Sequence, residues 1–448
     1  MTSPIFFDGT GRRRRFVGRL TALLIVVILL CAAIFAATVT NVPAASALDF
    51  GHERSQPLPF RTHVAGLRHA FARFTNRVAG HGEPLRIGFY LPWDPESAAS
   101  LRAHYDDLDW IIDGSTIVDT RTAHLISQDD SRLRIIRRNH LHHPQVMLMI
   151  QNLRDERWDG GGFARLLTSP AKTDALIDET IRAVTTRHWQ GAVFDIESMP
   201  DSALPAYRAF LTRAHARFTK AGLDLSLTVP AGEPDWDFRR FAAASDHLIL
   251  MNYDQHWQGG TPGPIASQDW FAGQLAHARA TVPAAKLIVA LGSYAYDWHD
   301  GVADALTLPG AWRAAHDYDA TPLFDPASGN SGFAYQDDGH RHVIWFMDAV
   351  ASWNQLSQLS DVGGVALWRL GSEDPGFWEA LDAFHDHRQP HLETIVAAQG
   401  TDVEGNGELL RIDAQPQQGK RAISFAKDGS IKDERYLTLP TGYVVQRT

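Results

Sequence analysis

The feature that most constrains this chain is a series of eight short, continuously apolar runs spread over about 300 residues. They are Arg86–Leu91, Leu108–Ile112, Gln145–Ile150, Ala192–Ile196, Leu223–Val229, His247–Asn252, Lys286–Leu291 and Gly363–Trp368. Runs this short, apolar throughout rather than alternating, are what parallel strands covered on both faces require. Helical patterns separate several of them. Ser169 and Pro170 read as an N-cap and first helical residue, followed by Leu176, Ile177, Ile181 and Val184 on one side. Tyr207, Phe210, Leu211, Ala214 and Phe218 keep helical spacing, and Gly222 stands where a helix stops. Strands alternating with helices in this number predict an α/β chain folded as a (β/α)8 TIM barrel over residues 85–387, with an open doubly wound sheet as the alternative.

The interval between the seventh and eighth runs, about 70 residues, is too long for one crossover. It predicts an insertion over about 299–360 with strands at Gly332–Tyr335 and His342–Phe346. After Pro390, Glu408–Ile412, Ala422–Phe425 and Tyr436–Leu439 read as a small β-rich segment, 388–448. Residues 49–84 are polar and rich in His and Arg, a stalk with one short helix from Ala65 to Val78.

The N-terminus predicts where the chain works. Arg12 to Arg15 and Arg19 precede twenty uncharged residues, Leu20 to Val39. A helix of that length spans about 30 Å, the thickness of a bilayer core. Arginines on the cytoplasmic side send the rest across, giving a single-pass anchor within residues 1–48 and an extracytoplasmic barrel. A cleaved signal peptide, with Ala45-Ser46-Ala47 as its processing site and Leu48 as the mature N-terminus, is the alternative. Charge and cysteine count exclude other classes. With 42 basic and 52 acidic side chains the net charge is −10, unlike a nucleic-acid binder. The single cysteine, Cys31, lies in the apolar segment and rules out an internal disulfide framework. His142, His143, Asp129 and Asp130 lack a second cluster of fitting spacing, so no metal is expected.

The fourth run carries the chemistry. Residues 190–197 read Gln-Gly-Ala-Val-Phe-Asp-Ile-Glu. Alternation puts Val193, Asp195 and Glu197 on one face. Two carboxylates ending an apolar strand would sit at the C-terminal mouth, where barrel enzymes keep their sites, and crowding keeps one of them protonated near neutrality. Caps of the following loop are the alternative reading.

Here the chain resembles glycoside hydrolase family 18, the chitinase-like barrels. Its strand-four motif is D-G-x-D-x-D-x-E, and residues 190–197 match the glycine, the last aspartate and the glutamate. Met251-Asn252-Tyr253-Asp254 is similar to the family's M-x-Y-D. Leu291 to Trp298 resembles the strand-seven end of its spore-germination branch, Trp345 to Ala349 resembles that branch's insertion, and Gly363 to Trp368 resembles the strand-eight tryptophan motif. The resemblance implies Glu197 as general acid/base, Asp195 as orienter of the substrate's acetamido group, and Tyr253 as its hydrogen-bond partner. Trp368 would form the floor under the sugar. Asp254, Met251, Tyr90, Trp93, Trp257 and Trp298 are the remaining candidates for substrate contact, and Trp236 also follows a run. No cofactor is required, because the acetamido oxygen serves as nucleophile. The partner implied is a polysaccharide containing N-acetylglucosamine. Gln190 and Val193 depart from the motif's first two aspartates, so a weak or inactive sugar-binding barrel is the alternative. Anchor, barrel and β segment together are similar to the N-terminal part of large membrane proteins that also carry a polysaccharide deacetylase and a processive glycosyltransferase, which implies such activities as partners.

Overall fold

The computed structural model describes residues 83–390, except 129, 130 and 141, and the backbone of four later strands. The eight runs form β1 (Leu85–Tyr90), β2 (Trp110–Val118), β3 (Gln145–Gln151), β4 (Gly191–Asp195), β5 (Asp224–Pro230), β6 (His247–Met251), β7 (Leu287–Gly292) and β8 (Gly364–Trp368). Each pairs in parallel with the next, and β8 returns to β1 through Leu85↔Gly364 and Gly88↔Leu367. The sheet is therefore a closed eight-stranded barrel, not the open doubly wound sheet.

Alternation along the strands sorts the core into two layers. Ile87, Phe89, Trp110, Ile112, Met147, Met149, Val193, Ile249, Ile288, Ala290 and Ala366 fill the barrel interior. Ile111, Val146, Leu148, Phe194, Leu227 and Leu250 face outward under the helices. Helix Pro170–Arg187 begins at the expected proline, although Ser169 makes no side-chain capping bond. Helix Leu204–Ala221 buries Tyr207, Phe210, Leu211, Ala214 and Phe218, and ends at Gly222 with φ +70°. That left-handed conformation is open to glycine at little cost.

The long interval before β8 holds a five-stranded antiparallel sheet in the order Val302–Leu306, Ala295–His299, His340–Phe346, Asn330–Asp337, Leu323–Asp325. Both strands expected in the insertion lie in it. Its first strand starts at Ala295, ahead of the boundary expected at 299, so the Leu291–Trp298 motif is divided between β7 and the inserted sheet. Beyond residue 390, strands Thr394–Ala397, Leu409–Ala414, Lys420–Phe425 and Ile431–Leu437 pair antiparallel. The expected anchor, processing site and stalk helix lie outside the described residues. Among those described, no helix is long and apolar enough to cross a membrane.

Candidate active site

Asp195 is the last residue of β4 and points into the barrel mouth, almost wholly buried. Its neighbours on both sides supply donors. Gln151, inward-facing at the end of β3, donates Nε2–H to Oδ2 at 2.9 Å. Thr228 of β5 donates its hydroxyl to Oδ1 at 2.6 Å. Burial pushes the Asp195 carboxyl above the ordinary aspartate value, against the pull of these two bonds.

Glu197 lies two residues on, part-exposed at the strand end. Its backbone is fixed from the residue just beyond the third strand. The Glu197 amide donates to Asn152 Oδ1 and Asn152 Nδ2 donates to the Glu197 carbonyl, each at 2.9 Å. Gly160 presses on the next residue, where a Cβ would collide with the Ser198 carbonyl. Burial, and then the charges of Asp195 and Asp254, hold the Glu197 carboxyl well above its ordinary value. A carboxyl that holds its proton more tightly than an ordinary glutamate is better suited to act as a general acid.

Asp254 follows β6 with φ +66°. Its Oδ1 accepts from the hydroxyls of Tyr294 and Tyr296, the second at 3.1 Å. Burial raises its pKa to about 6 despite these donors. Tyr253 is buried in the same cluster, edge-on to Tyr294 at 6.0 Å. Met251 and Trp368 pack against that cluster while remaining part-exposed, and Trp368 meets Phe89 edge-on at 5.2 Å.

The structure thus brings Asp195, Glu197, Tyr253, Asp254, Met251 and Trp368 to one end of the barrel. Trp93 and Trp257 lie in the loops after β1 and β6, 50% and 56% exposed, with rings open to solvent. Three aromatic candidates are buried rather than displayed to solvent. Tyr90 is fully buried among residues of the helical layer. Phe89 takes the interior side of β1, so alternation turns Tyr90 away from the mouth and it cannot contact substrate there. Trp298 is buried in the inserted sheet, 5.4 Å from Tyr296, rather than displayed. Trp236 packs on Phe241 and Tyr207 below the helices.

Sequence reasoning did not single out Gln151, Asn152 or Thr228, or name Tyr294 and Tyr296 as partners of Asp254. The signal for the strand residues was present: Met147, Met149 and Gln151 share one face, as do Ser226 and Thr228. A polar side chain on the interior face of an apolar strand needs a partner. The two departures from the family motif also find places. Gln190 accepts from the Val146 amide at 3.1 Å, at the far end of β4. Val193 is fully buried beneath Asp195, in register with Ser226 of β5.

The sequence profile of glycosyl hydrolases family 18 matches residues 57–374. The chain belongs to that family. It is thereby a member of a glycoside-hydrolase family, as its strand-four carboxylates suggested. Among curated relatives, an uncharacterized glycosylase, YvbX, of Bacillus subtilis is 25% identical over 251 residues, 52% of this chain and 73% of that protein. A cortical fragment-lytic enzyme of Bacillus anthracis is 27% identical over 258 residues, 52% of this chain and 59% of that protein. The chain therefore spans little more than half the length of the latter. Among solved structures, a chitinase from Chromobacterium violaceum aligns with TM-score 0.62 and 22% identity over 67% of this chain and 99% of its own. The Bacillus cereus spore cortex-lytic enzyme SleL aligns with TM-score 0.59 and 23% identity, over 67% and 74%. These structural likenesses speak for the barrel fold.

Proposed function

We propose that the protein hydrolyses a β-linked N-acetylglucosamine polymer on the extracytoplasmic side of a membrane, with retention at the anomeric carbon. The observation that carries this reading is the pair of carboxylates at the C-terminal end of β4, Asp195 held on both oxygens by Gln151 and Thr228 and the Glu197 backbone fixed by Asn152. The substrate's acetamido oxygen attacks the anomeric carbon while Glu197 gives its proton to the departing glycosidic oxygen. Asp195, fixed by Gln151 and Thr228, orients the acetamido group and balances the positive charge that develops on cyclisation. Tyr253 hydrogen-bonds the same group and Trp368 underlies the sugar. Glu197, now a carboxylate, takes a proton from the incoming water, which opens the cyclic intermediate and restores the acetamide. The cortical fragment-lytic relatives favour a peptidoglycan-type glycan as the polymer. The basic cluster and apolar segment before residue 40 favour an anchored chain acting outside the cytoplasm.

Acetylated and fully deacetylated oligosaccharides, with products read by mass, test the reading. Acetylated chains are cut and deacetylated ones are not, and a thiazoline mimic of the cyclised species inhibits. Cleavage of deacetylated chains at a comparable rate would point to a direct carboxylate nucleophile instead. Val193, apolar under Asp195, favours a second reading, a sugar-binding barrel without turnover. Binding of both oligosaccharides with cleavage of neither decides for it.

A further inference from the structure

Glu197 stands beyond the hydrogen bonding of the barrel itself. β4 ends at Asp195, whose partner in register is Gln151, the last residue of β3. The strand pairings on both sides of β4 stop before Glu197 is reached. The side chain of Asn152 takes the place of a neighbouring strand. Its Oδ1 accepts from the Glu197 amide and its Nδ2 donates to the Glu197 carbonyl, both at 2.9 Å. This is the reciprocal pair of bonds that two facing residues exchange in an antiparallel ladder. A carboxamide carries an acceptor and an N–H donor on adjacent atoms, which neither a carboxylate nor an aliphatic side chain does.

Asn152 is held in its turn. It is buried, and its carbonyl accepts from the Asp159 amide at 2.9 Å. That bond closes the base of a short hairpin with strands Leu153–Arg154 and Arg157–Trp158. Asp155 and Glu156 turn the hairpin with φ +50° and +62°, the left-handed pair that a two-residue turn of matching twist requires. The Asp159 carboxylate anchors the far side of the base. It accepts from the Thr120 hydroxyl at 2.5 Å and the Gly162 amide at 2.9 Å, and it pairs with Arg154 at 2.9 Å. The same segment then meets the Glu197 loop a second time. A Cβ on Gly160 would collide with the Ser198 carbonyl and crowd that of Glu197, and Ser198 itself turns the chain with φ +54°. The amide before the Glu197 Cα and the carbonyl after it are both fixed, and with them the direction of the Cα–Cβ bond.

We propose that Asn152 is a positioning residue, and that the segment from Asn152 to Gly160 is a clamp that aims the Glu197 carboxyl into the barrel mouth. The role rests on the hydrolase reading and deepens it, but half of its test needs no turnover. Hydrogen exchange at the Glu197 amide of the full chain is read by mass spectrometry after fragmentation to single residues. In Asn152→Ala that amide exchanges roughly tenfold faster or more, while the amides of β4 and β5 keep their protection. With acetylated oligosaccharide, Asn152→Ala lowers kcat by about 10–100-fold and leaves KM nearly unchanged, because a misplacement of about 1 Å is enough for such a loss. Asn152→Asp supplies the signature that lost packing would not give. Ionised, it still accepts from the Glu197 amide but turns a second oxygen on the Glu197 carbonyl; protonated, it donates there again. Its kcat relative to the parent therefore recovers as pH falls through the titration of the new carboxyl. Gly160→Ala displaces the same loop from the second contact, lowers kcat in the same way, and serves if the Asn152 variants do not fold. An unchanged exchange rate at Glu197 in Asn152→Ala, or a kcat of Asn152→Asp that keeps a constant ratio to the parent across pH, overturns the proposal. Parent protein that cuts no oligosaccharide overturns the hydrolase reading instead, and the exchange rates still decide whether Asn152 holds Glu197.

Discussion

Asp195 and Asp254 are both aspartates at the mouth of one barrel, both withdrawn from water and both raised in pKa, yet they are held in opposite ways. Asp195 stands on a barrel strand with each oxygen tied to a neighbouring strand, so barrel register fixes it. Asp254 stands in a loop with a left-handed backbone, and one oxygen takes both phenols while the other has no hydrogen-bond partner among the described residues. One phenol comes from a sheet that the barrel does not need in order to close. A group fixed by register is as rigid as the barrel itself. A group fixed by an insertion can be tuned by changing the insertion alone, without disturbing the strands that carry Glu197.

Three substitutions break or sharpen this contrast. The largest effect is expected for Glu197→Gln, which keeps shape but has no proton to give. Turnover should drop by roughly 10²–10⁴ with oligosaccharide affinity retained, as measured by initial rates and calorimetry. A parent-like rate would remove the proton that both aspartates are argued to govern, and the contrast would lose its meaning. Val193→Asp comes next. It restores a carboxylate under Asp195, in register with Ser226, whose buried hydroxyl has no hydrogen-bond partner among the described residues. A like charge nearby keeps Glu197 protonated to higher pH, so the alkaline limb of kcat/KM should move up by about one unit. Combined with Asp254→Asn, whose effect is downward, the two should largely cancel. A limb that ignores Val193→Asp would mean that strand four cannot be repaired in this way. The smallest effect belongs to Trp93→Ala in the exposed loop after β1. Losing one stacking face costs about 0.5–1.5 kcal/mol, a KM increase of roughly two- to tenfold with kcat kept. An unchanged KM would leave the cleft to buried residues alone.

How far the site could be read from the sequence depended on whether its geometry is local. Asp195 and Glu197 stand two residues apart on a strand, so alternation alone places them together. The same rule, applied to β1, turns Tyr90 toward the helices; nearness to the strand end was the poorer guide. Gln151 and Thr228 left only a weak trace, one polar residue each on an apolar face, because their meaning lies in a carboxylate on another strand. Asp254 and its tyrosines are separated by 40 and 42 positions, and nothing in either segment names the other. Trp298 shows the converse, since a tryptophan just after a strand reads as a sugar platform and the inserted sheet buries it.

The sequence by itself determined an eight-stranded parallel α/β sheet, because short apolar runs with helices between them can bury both faces of each strand in very few ways, and the pairing of β8 with β1 decided that the sheet closes. It also determined the strand-four carboxylates, through a period of two. Tertiary structure alone decided what those carboxylates do to one another. The proton affinity of Glu197 is raised by its burial and then by the charges of Asp195 and Asp254, and Asp254 is held by two phenols carried by β7's end and by the inserted sheet. Burial and through-space charge act over distances that folding sets, and spacing along the chain does not encode them.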